Sequence, residues 1–280
     1  MRKIGWEKIK ETVKILCQQS NFCLRDDVLR ALRAAQEKEI SPAGREVLAQ
    51  LVENAAVARE EKIPLCQDTG LVTVFIELGQ DVCIEGGFLY DAVQEGVREG
   101  YLEGYLRKSV VADPIRRTNT GDNTPAIIYT RLVPGDRLRI TVMPKGGGSE
   151  NMSALKMLKP ADGLEGMISF VLETVEKAGP NPCPPIVVGV GVGGDFALAA
   201  HLAKKALLRP LGTKNPDPFW AGVEEDLLAK INCLGIGPAG FGGRITALAV
   251  HIETHPTHIA CLPVAVNISC HATRSAEAIL

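Results

Sequence analysis

Residues 181–208, NPCPPIVVGVGVGGDFALAAHLAKKALL, decide the fold of this 280-residue chain. The segment begins with a short apolar run rich in β-branched residues, which predicts a buried strand. After the glycines, Asp195 stands where an apolar helical pattern begins, and we expect its side chain to cap that helix. A strand that runs directly into a helix is typical of α/β proteins.

The glycines in this segment allow a functional interpretation as well as a structural one. Gly189, Gly191 and Gly194 have the GxGxxG spacing of dinucleotide-binding turns, which would indicate an NAD-dependent oxidoreductase. The required acidic residue is missing at a strand end, because Asp217 lies in the proline-rich turn NPDP. Tight packing of the strand on the helix is the better explanation. A third option is that amides at the helix N-terminus face an anion or a cluster sulfide.

Working outward, the chain changes character near residue 63. Residues 1–62 are predicted to be helical, with helices over 3–18, from Asp26, and from Ser41 and Pro42. The remainder alternates strand-like and helix-like segments: strands over 72–78, 126–132, 137–143, 184–190, 245–256 and 258–266, and helices over 86–102, 149–158 and 195–208. We therefore expect one domain over 1–280 of mixed α/β (α+β) class, in which an N-terminal helical layer packs on a mixed-sheet body, 63–280.

Composition excludes several classes of protein. The formal net charge is −2 without a long run of either sign, which argues against a nucleic-acid or anionic-membrane partner. The N-terminus lacks the apolar core of a signal peptide, and no stretch of 18 apolar residues predicts a membrane span. We expect a cytoplasmic protein.

Eight cysteines are present, and none is arranged as CxxC. A disulfide framework or a zinc ribbon is therefore not expected, and most of the thiols should be small buried side chains. The exception is residues 231–274, which gather several potential metal ligands and predict, in generic terms, a mononuclear metal site. These ligands are Cys233, His251, His255, His258, Cys261, Cys270 and His271.

Three polar loops are candidates for a site. PLCQDTG (64–70) combines a soft ligand, an amide and an acid in Cys66, Gln67 and Asp68, as a metal or cluster site with hydrogen-bonding support requires. KGGGSEN (145–151) lets backbone amides approach a ligand closely and predicts a carboxylate-binding nest beside Lys145. NTGDNTPA (119–126) is a polar turn before a strand.

Five segments in order then resemble one known family. PLCQDTG, NTGDNTPA, MPKGGGSENMSALKML, NPCPPIVVGVGVGG and the stretch 231–274 are similar to the α portion of class I, iron–sulfur-dependent fumarate hydratase and of its relative L-tartrate dehydratase. The resemblance covers about residues 5–275. It implies that Cys66, Cys183 and Cys270 hold a 4Fe–4S cluster, whereas Cys233 and Cys261 are structural. Three ligands leave one iron open as a Lewis acid for the substrate hydroxyl and carboxylate.

The resemblance also implies residues that act on the substrate. Asp68 and His258 would be catalytic, with His255 the rival of His258 for proton handling, and Arg107 would grip a substrate carboxylate. The residues implied to bind the substrate or to lie against it are Gln67, Arg107, Gly147 and Gly148.

The family places the base that removes the carbon-bound proton in a β portion, which these 280 residues do not contain. We therefore expect a hydro-lyase α subunit that needs a separate β subunit and that dehydrates malate to fumarate, a step of the tricarboxylic acid cycle. L-tartrate is the alternative substrate. A regulatory module that keeps a cluster without catalysis is a further alternative, disfavoured because Asp68, Arg107 and His258 are all present.

Overall fold

The computed structural model describes residues 1–280, which form two compact units. The first unit comprises Met1–Arg25, Ala55–Gly147 and Arg274–Leu280, and the second comprises Asp26–Asn54 and Gly148–Thr273. In chain order the elements are β1 (Arg2–Gly5), α1 (Trp6–Phe22), α2 (Asp26–Lys38), α3 (Pro42–Glu61), β2 (Leu71–Gly79), β3 (Val82–Glu85), α4 (Leu89–Glu103), β4 (Ile127–Val133), β5 (Leu138–Lys145), α5 (Gly147–Glu150), β6 (Ala154–Leu158), α6 (Gly163–Ala178), β7 (Ile186–Gly193), α7 (Phe196–Ala206), α8 (Pro218–Asn232), β8 (Ala247–His255), β9 (Leu262–Ser269) and β10 (Ala276–Ile279).

The first unit is built on a four-stranded sheet with the order β10-β5-β2-β4. Strand β2 runs parallel to β4 and antiparallel to β5. Its alternate residues Val72, Val74 and Ile76 are buried with the apolar faces of α1 and α4, as the period of two predicts. A separate pair, β1 and β3, explains why α1 begins at Trp6 and not at residue 3: Arg2–Gly5 are taken up in a strand.

The second unit contains a four-stranded sheet with the order β6-β9-β7-β8. Alternate β7 residues such as Val188 and Val190 are buried in one cluster with α6 and α8. On the other face, a Cβ at Gly189 would lie 2.2 Å from the Ala203 carbonyl oxygen, and a Cβ at Gly191 would lie 2.1 Å from that of Ala199. These glycines therefore let α7 pack directly on β7, which is the structural explanation given above for the GxGxxG spacing.

Predicted helix starts are confirmed at two caps. The Asp195 carboxylate accepts a hydrogen bond from Leu198 N at 2.8 Å, and Ser41 Oγ accepts one from Gly44 N at 3.2 Å. The mixed α/β class with N-terminal helices is also confirmed. α1 belongs to the first unit and α2 to the second, and a single domain with an N-terminal layer over 1–62 stays a prediction.

The helix predicted over 149–158 is wrong. A four-residue helix, α5, ends at Glu150, and Ala154–Leu158 form β6, which pairs with β9 in antiparallel register. Alanine, leucine, lysine and methionine all favour helices, so local propensity predicted the wrong element. Backbone pairing with β9 overrides that propensity, and Ser153 Oγ reinforces the strand entry by accepting a hydrogen bond from Ile268 N at 3.1 Å.

No helix of this structure has both the length and the apolar character that a bilayer span needs.

Candidate functional site

The loop that carries Cys66 lies in the first unit between α3 and β2, as expected. Gly70 ends the loop with φ +82°, and a Cβ there would lie 2.7 Å from the backbone of Lys145. Only glycine permits this close approach of the loop to the end of β5. Cys66 is half-buried and Gln67 exposed, with 3.4 Å between the thiol sulfur and Gln67 Oε1.

The carboxylate of Asp68 is held by two backbone amides. Its Oδ1 accepts a hydrogen bond from Gly70 N at 3.1 Å, and its Oδ2 accepts one from Gly147 N at 2.8 Å. The second bond brings the PLCQDTG and KGGGSEN motifs together, so the first unit places the predicted residues Asp68 and Gly147 side by side. The two amide donors fix the direction of the carboxylate.

Buried side chains hold the backbone of the PLCQDTG loop. Thr69 is 1% exposed and Tyr101 fully buried, and the Tyr101 hydroxyl donates to the Thr69 carbonyl at 2.6 Å, with that of Gly70 at 3.2 Å. Burial strongly raises the pKa of Tyr101, so its hydroxyl stays a donor at any working pH.

Asn123 and Thr69 connect the loop to the segment that carries Arg107. Thr69 Oγ donates to the Arg107 carbonyl at 2.9 Å. Asn123 is fully buried; its Nδ2 donates to Gly70 O at 3.2 Å, and its Oδ1 accepts from Ser109 N at 2.7 Å. The NTGDNTPA motif therefore holds the PLCQDTG loop to the segment around Ser109. Arg107 is exposed, and its backbone carbonyl is held by Thr69.

Arg274 is a member of this group that sequence reasoning missed. Its guanidinium is 5% exposed, and Nη2 donates to the carbonyl oxygen of Asp68. Its position four residues after Cys270 gives no sign that the guanidinium is buried or that it contacts the Asp68 loop, so the sequence carries no signal for it.

In the second unit, Cys183 and Cys270 lie just outside the ends of two neighbouring strands of one sheet. Cys183 precedes β7 and Cys270 follows β9, and these strands are antiparallel with Val187 opposite Ser269. The two cysteines therefore lie at the same end of the sheet, where His271 N donates to Cys183 O at 3.3 Å. Cys183 is exposed and Cys270 half-buried.

The part of KGGGSEN in this unit is anchored near Cys270. Gly148 is exposed, and Glu150 lies 2.5 Å from Lys204 Nζ and accepts from Asn267 Nδ2 at 3.0 Å. Asn267 is three residues before Cys270 on β9. Glu150 therefore ties this loop to α7 and to β9. Gly148 lies two residues before Glu150 in the same loop.

The structure does not bring His258 to these cysteines. His255 pairs with Gly193 at the far end of β7, and His258 lies in the following turn, where its Nδ1 accepts from Ala260 N at 3.1 Å. An eight-residue strand such as β7 spans about 26 Å. Strand direction therefore places both candidate histidines at the opposite end of the sheet from Cys183 and Cys270, and the catalytic role of His258 stays a prediction. His271 is the histidine at the cysteine end.

The mononuclear metal site predicted for residues 231–274 is wrong. Within this segment, no three histidine, cysteine, aspartate or glutamate side chains are grouped so that they could hold a metal ion. His251 is 2% exposed, with Nδ1 3.2 Å from the Ala206 carbonyl oxygen, which makes it a core side chain. His251 and His255 both lie on β8, and their closeness in sequence to the cysteines suggested a ligand cluster that the fold does not form.

The donor chemistry at the three predicted ligands fits an iron–sulfur cluster. None of the eight cysteines forms a disulfide. Cys66, Cys183 and Cys270 stand in loops beside strand ends and are at least partly accessible, so their sulfurs are available as soft ligands. Cys17 shows the contrast: it is fully buried, and burial raises the pKa of its thiol well beyond the usual range.

Glu39 is a second residue that sequence reasoning missed. Its fully buried carboxylate accepts hydrogen bonds from Arg244 N at 2.9 Å and Ile245 N at 2.8 Å, and from Ile40 N and Ser41 N. Burial acts to raise the pKa of Glu39, but the backbone donors outweigh it and the pKa is lowered. Glu39 therefore fixes the backbone of the glycine-rich segment that precedes β8.

The chain is similar to known proteins along almost its entire length. The family model described as fumarate hydratase (Fumerase) matches residues 10–279. A candidate L(+)-tartrate dehydratase subunit alpha of Methanocaldococcus jannaschii is 46% identical over 274 residues, with 96% of each chain covered. The L(+)-tartrate dehydratase subunits alpha of Escherichia coli K12 and of Shigella boydii serotype 4 are each 33% identical over 274 residues, which cover 95% of this chain and 89% of theirs.

The match to the family model, residues 10–279, includes every motif described above, from Cys66 to Arg274. This chain belongs to the fumarate hydratase (Fumerase) family.

Proposed function

We propose that this chain is the α subunit of an iron–sulfur hydro-lyase, which removes water from a small hydroxy-dicarboxylic acid. The observation that carries the proposal is the position of Cys183 and Cys270 at one end of the β7–β9 pair, in a chain that matches the family over residues 10–279. Thiols from distant sequence positions converge there without a disulfide.

The cofactor is a 4Fe–4S cluster held by Cys66, Cys183 and Cys270. When bound, it supplies an open iron that acts as a Lewis acid towards a hydroxyl and a carboxylate. The donor chemistry of the three loops supports this assignment.

The surrounding residues bind and orient the substrate. Asp68, fixed by two amides, handles the proton at the leaving hydroxyl, and the exposed amide of Gln67 offers a donor and an acceptor beside it. The exposed guanidinium of Arg107 binds a substrate carboxylate through its planar fork. Gly147 and Gly148 let backbone approach the substrate without side-chain interference. His258 remains the proposed partner of Asp68 in proton handling on the ground of the resemblance alone, because within this chain it lies at the far end of β7.

The substrate is either malate, in equilibrium with fumarate, or L(+)-tartrate. The family description names fumarate hydratase, whereas the similar chains described above are named for L(+)-tartrate. Tartrate therefore has at least as much support as the malate expected from the sequence. A role in the tricarboxylic acid cycle follows only for malate, and we propose a cytoplasmic location in either case.

The relatives are named as alpha subunits, which supports a heteromer in which a β subunit supplies the base that takes the carbon-bound proton. The structure gives no reason to prefer an oxidoreductase, because Gly189 and Gly191 are in contact with α7 inside β7.

The experiment is anaerobic reconstitution of this chain with iron and sulfide, alone and with a purified β subunit. Turnover of malate and of L(+)-tartrate is then compared by kcat/KM. We expect activity only with the β subunit and with one of the two substrates preferred. Full activity of this chain alone would overturn the subunit assignment, and absence of dehydration with both substrates in the complete complex would overturn the hydro-lyase assignment.

A further inference from the structure

Arg274 occupies an unusual electrostatic position in the first unit. The side chain is 5% exposed, and its Nε and Nη1 are buried without a hydrogen-bond partner. Its one hydrogen bond runs from Nη2 to the neutral carbonyl of Asp68. A buried guanidinium normally faces a carboxylate, because an unpaired buried charge is costly.

The neighbouring carboxylate does not serve as that partner. Asp68 directs its two side-chain oxygens to Gly70 N and Gly147 N. Arg274 instead holds the peptide group that joins Asp68 to Thr69. Fixing that peptide fixes the direction of the Asp68 side chain on one side and of the buried Thr69 on the other.

The same loop is held from a second side by neutral groups. Tyr101 donates to the carbonyl oxygens of Thr69 and Gly70, and Asn123 donates to that of Gly70. The carbonyls of three successive residues, 68 to 70, are thus bound by buried side chains. Cys66 and Gln67 come immediately before this clamped stretch, and the carbonyl bound by Arg274, that of Asp68, is the one closest to them in sequence.

We propose that Arg274 is a positioning residue that orients Asp68 and limits the motion of Cys66 through the Asp68 carbonyl. The inference rests on the proposed roles of Cys66 and Asp68, but its first test needs neither a cluster nor turnover. Its unpartnered nitrogens mark a charge retained in the interior for this task, where a neutral side chain of similar size would stabilise the fold at less cost.

The first test is alkylation of Cys66 by iodoacetamide in the cluster-free chain, followed by peptide mass spectrometry. Arg274→Met keeps the volume and removes the donor, and Arg274→Lys keeps a charged donor of different geometry. We expect Arg274→Met to alkylate Cys66 about tenfold faster, the effect of losing one charge-assisted hydrogen bond, and Arg274→Lys to lie between it and the unchanged chain. The exposed thiol of Cys233 serves as an internal reference and should not change.

Arg209→Met is the matched control, since it removes another largely buried arginine, paired with Glu224 in the second unit. This variant should lose stability but leave the Cys66 rate unchanged. Equal Cys66 rates in Arg274→Met and the unchanged chain would overturn the proposal, as would an equal acceleration in Arg209→Met. If Arg274→Met does not fold, the Arg274→Lys variant decides by the same comparison.

The second test uses the reconstituted complex with the β subunit. We expect Arg274→Lys to lower kcat more than it raises KM and to change the electron paramagnetic resonance spectrum of the reduced cluster. An unchanged spectrum together with an unchanged kcat would contradict the positioning role. Failure of the unchanged chain to take up any cluster would instead contradict the proposed function, so the two failures are distinguishable.

Discussion

Asp68 Oδ2 accepts a hydrogen bond from Gly147 N at 2.8 Å, although 79 positions separate the two residues in sequence. This bond joins two motifs of the first unit and leaves the carboxylate fixed and partly accessible. A proton-transferring group needs such a fixed direction, because geometry decides whether it reaches the proton.

Asp68→Asn should therefore reduce catalysis without removing the cluster. Asparagine has nearly the same shape but cannot carry the proton, so we expect kcat in the α–β complex to fall by about 10²–10⁴-fold. Iron content per chain, measured on the same preparation, should stay unchanged. Asp113→Asn, in a loop of the same unit where its carboxylate also caps backbone amides, is the control and should retain activity.

His258→Ala tests the catalytic role that the resemblance implies for His258. As the proposed partner of Asp68 in proton handling, His258 should be needed for turnover, and we expect a loss of kcat comparable to that of Asp68→Asn. Steady-state kinetics of the complex provide the measurement. Because strand β7 separates this residue from Cys183 and Cys270 within this chain, a change in kcat of less than about threefold, well below the effect of losing a general acid or base, would show that His258 takes no part in the reaction.

Gly191→Ala tests whether the glycine spacing serves packing. The added Cβ would meet the Ala199 carbonyl, so α7 must move, and we expect the free energy of unfolding to fall by about 1–3 kcal/mol. Gly222→Ala, in α8 with open space around the site, is the matched control and should stabilise by about 0.5–1 kcal/mol. Denaturant unfolding measures both, and equal stability of the two variants would contradict the packing explanation.

Glu39 predicts a pH dependence of stability. Its pKa is lower in the folded chain than in the unfolded one, so its contribution is complete above the unfolded pKa and is lost as the pH falls through the lowered value. Glu39→Gln should therefore destabilise the chain most above about pH 5 and progressively less below about pH 4. Urea unfolding across this range measures the difference.

Glu37→Ala provides the comparison at an exposed position of α2, two residues before Glu39, and should change stability by less than about 0.5 kcal/mol at every pH. A constant difference between Glu39→Gln and the unchanged chain down to pH 3 would show that the Glu39 carboxylate does not hold the loop in its ionised form.

Periodicity and capping predicted most of the elements correctly. The strand at Val72–Ile76 and the helix capped by Asp195 follow from side-chain alternation and an N-cap, which are local properties. The helix predicted over residues 149–158 failed because pairing with β9, more than a hundred positions away, decided its structure. Local patterns carry no information about such a partner.

The candidate site divides in the same way. Cys66 and Asp68 stand in one loop and could be recognised together, whereas Arg274 and Glu39 act through backbone groups of distant loops that no spacing reveals. The resemblance identifies His258 but does not give its position along a strand, and the structure places it at the far end of β7. Sheet register supplies that position.

The most direct test of the account is iron and sulfide content after anaerobic reconstitution of the unchanged chain and of its cysteine-to-serine variants. We predict a brown protein with about four irons per chain, and loss of the cluster in Cys66→Ser, Cys183→Ser and Cys270→Ser. Cys233→Ser should keep it, since that exposed thiol is outside the ligand set. A colourless unchanged chain, or a Cys66→Ser variant with full iron content, would contradict the account.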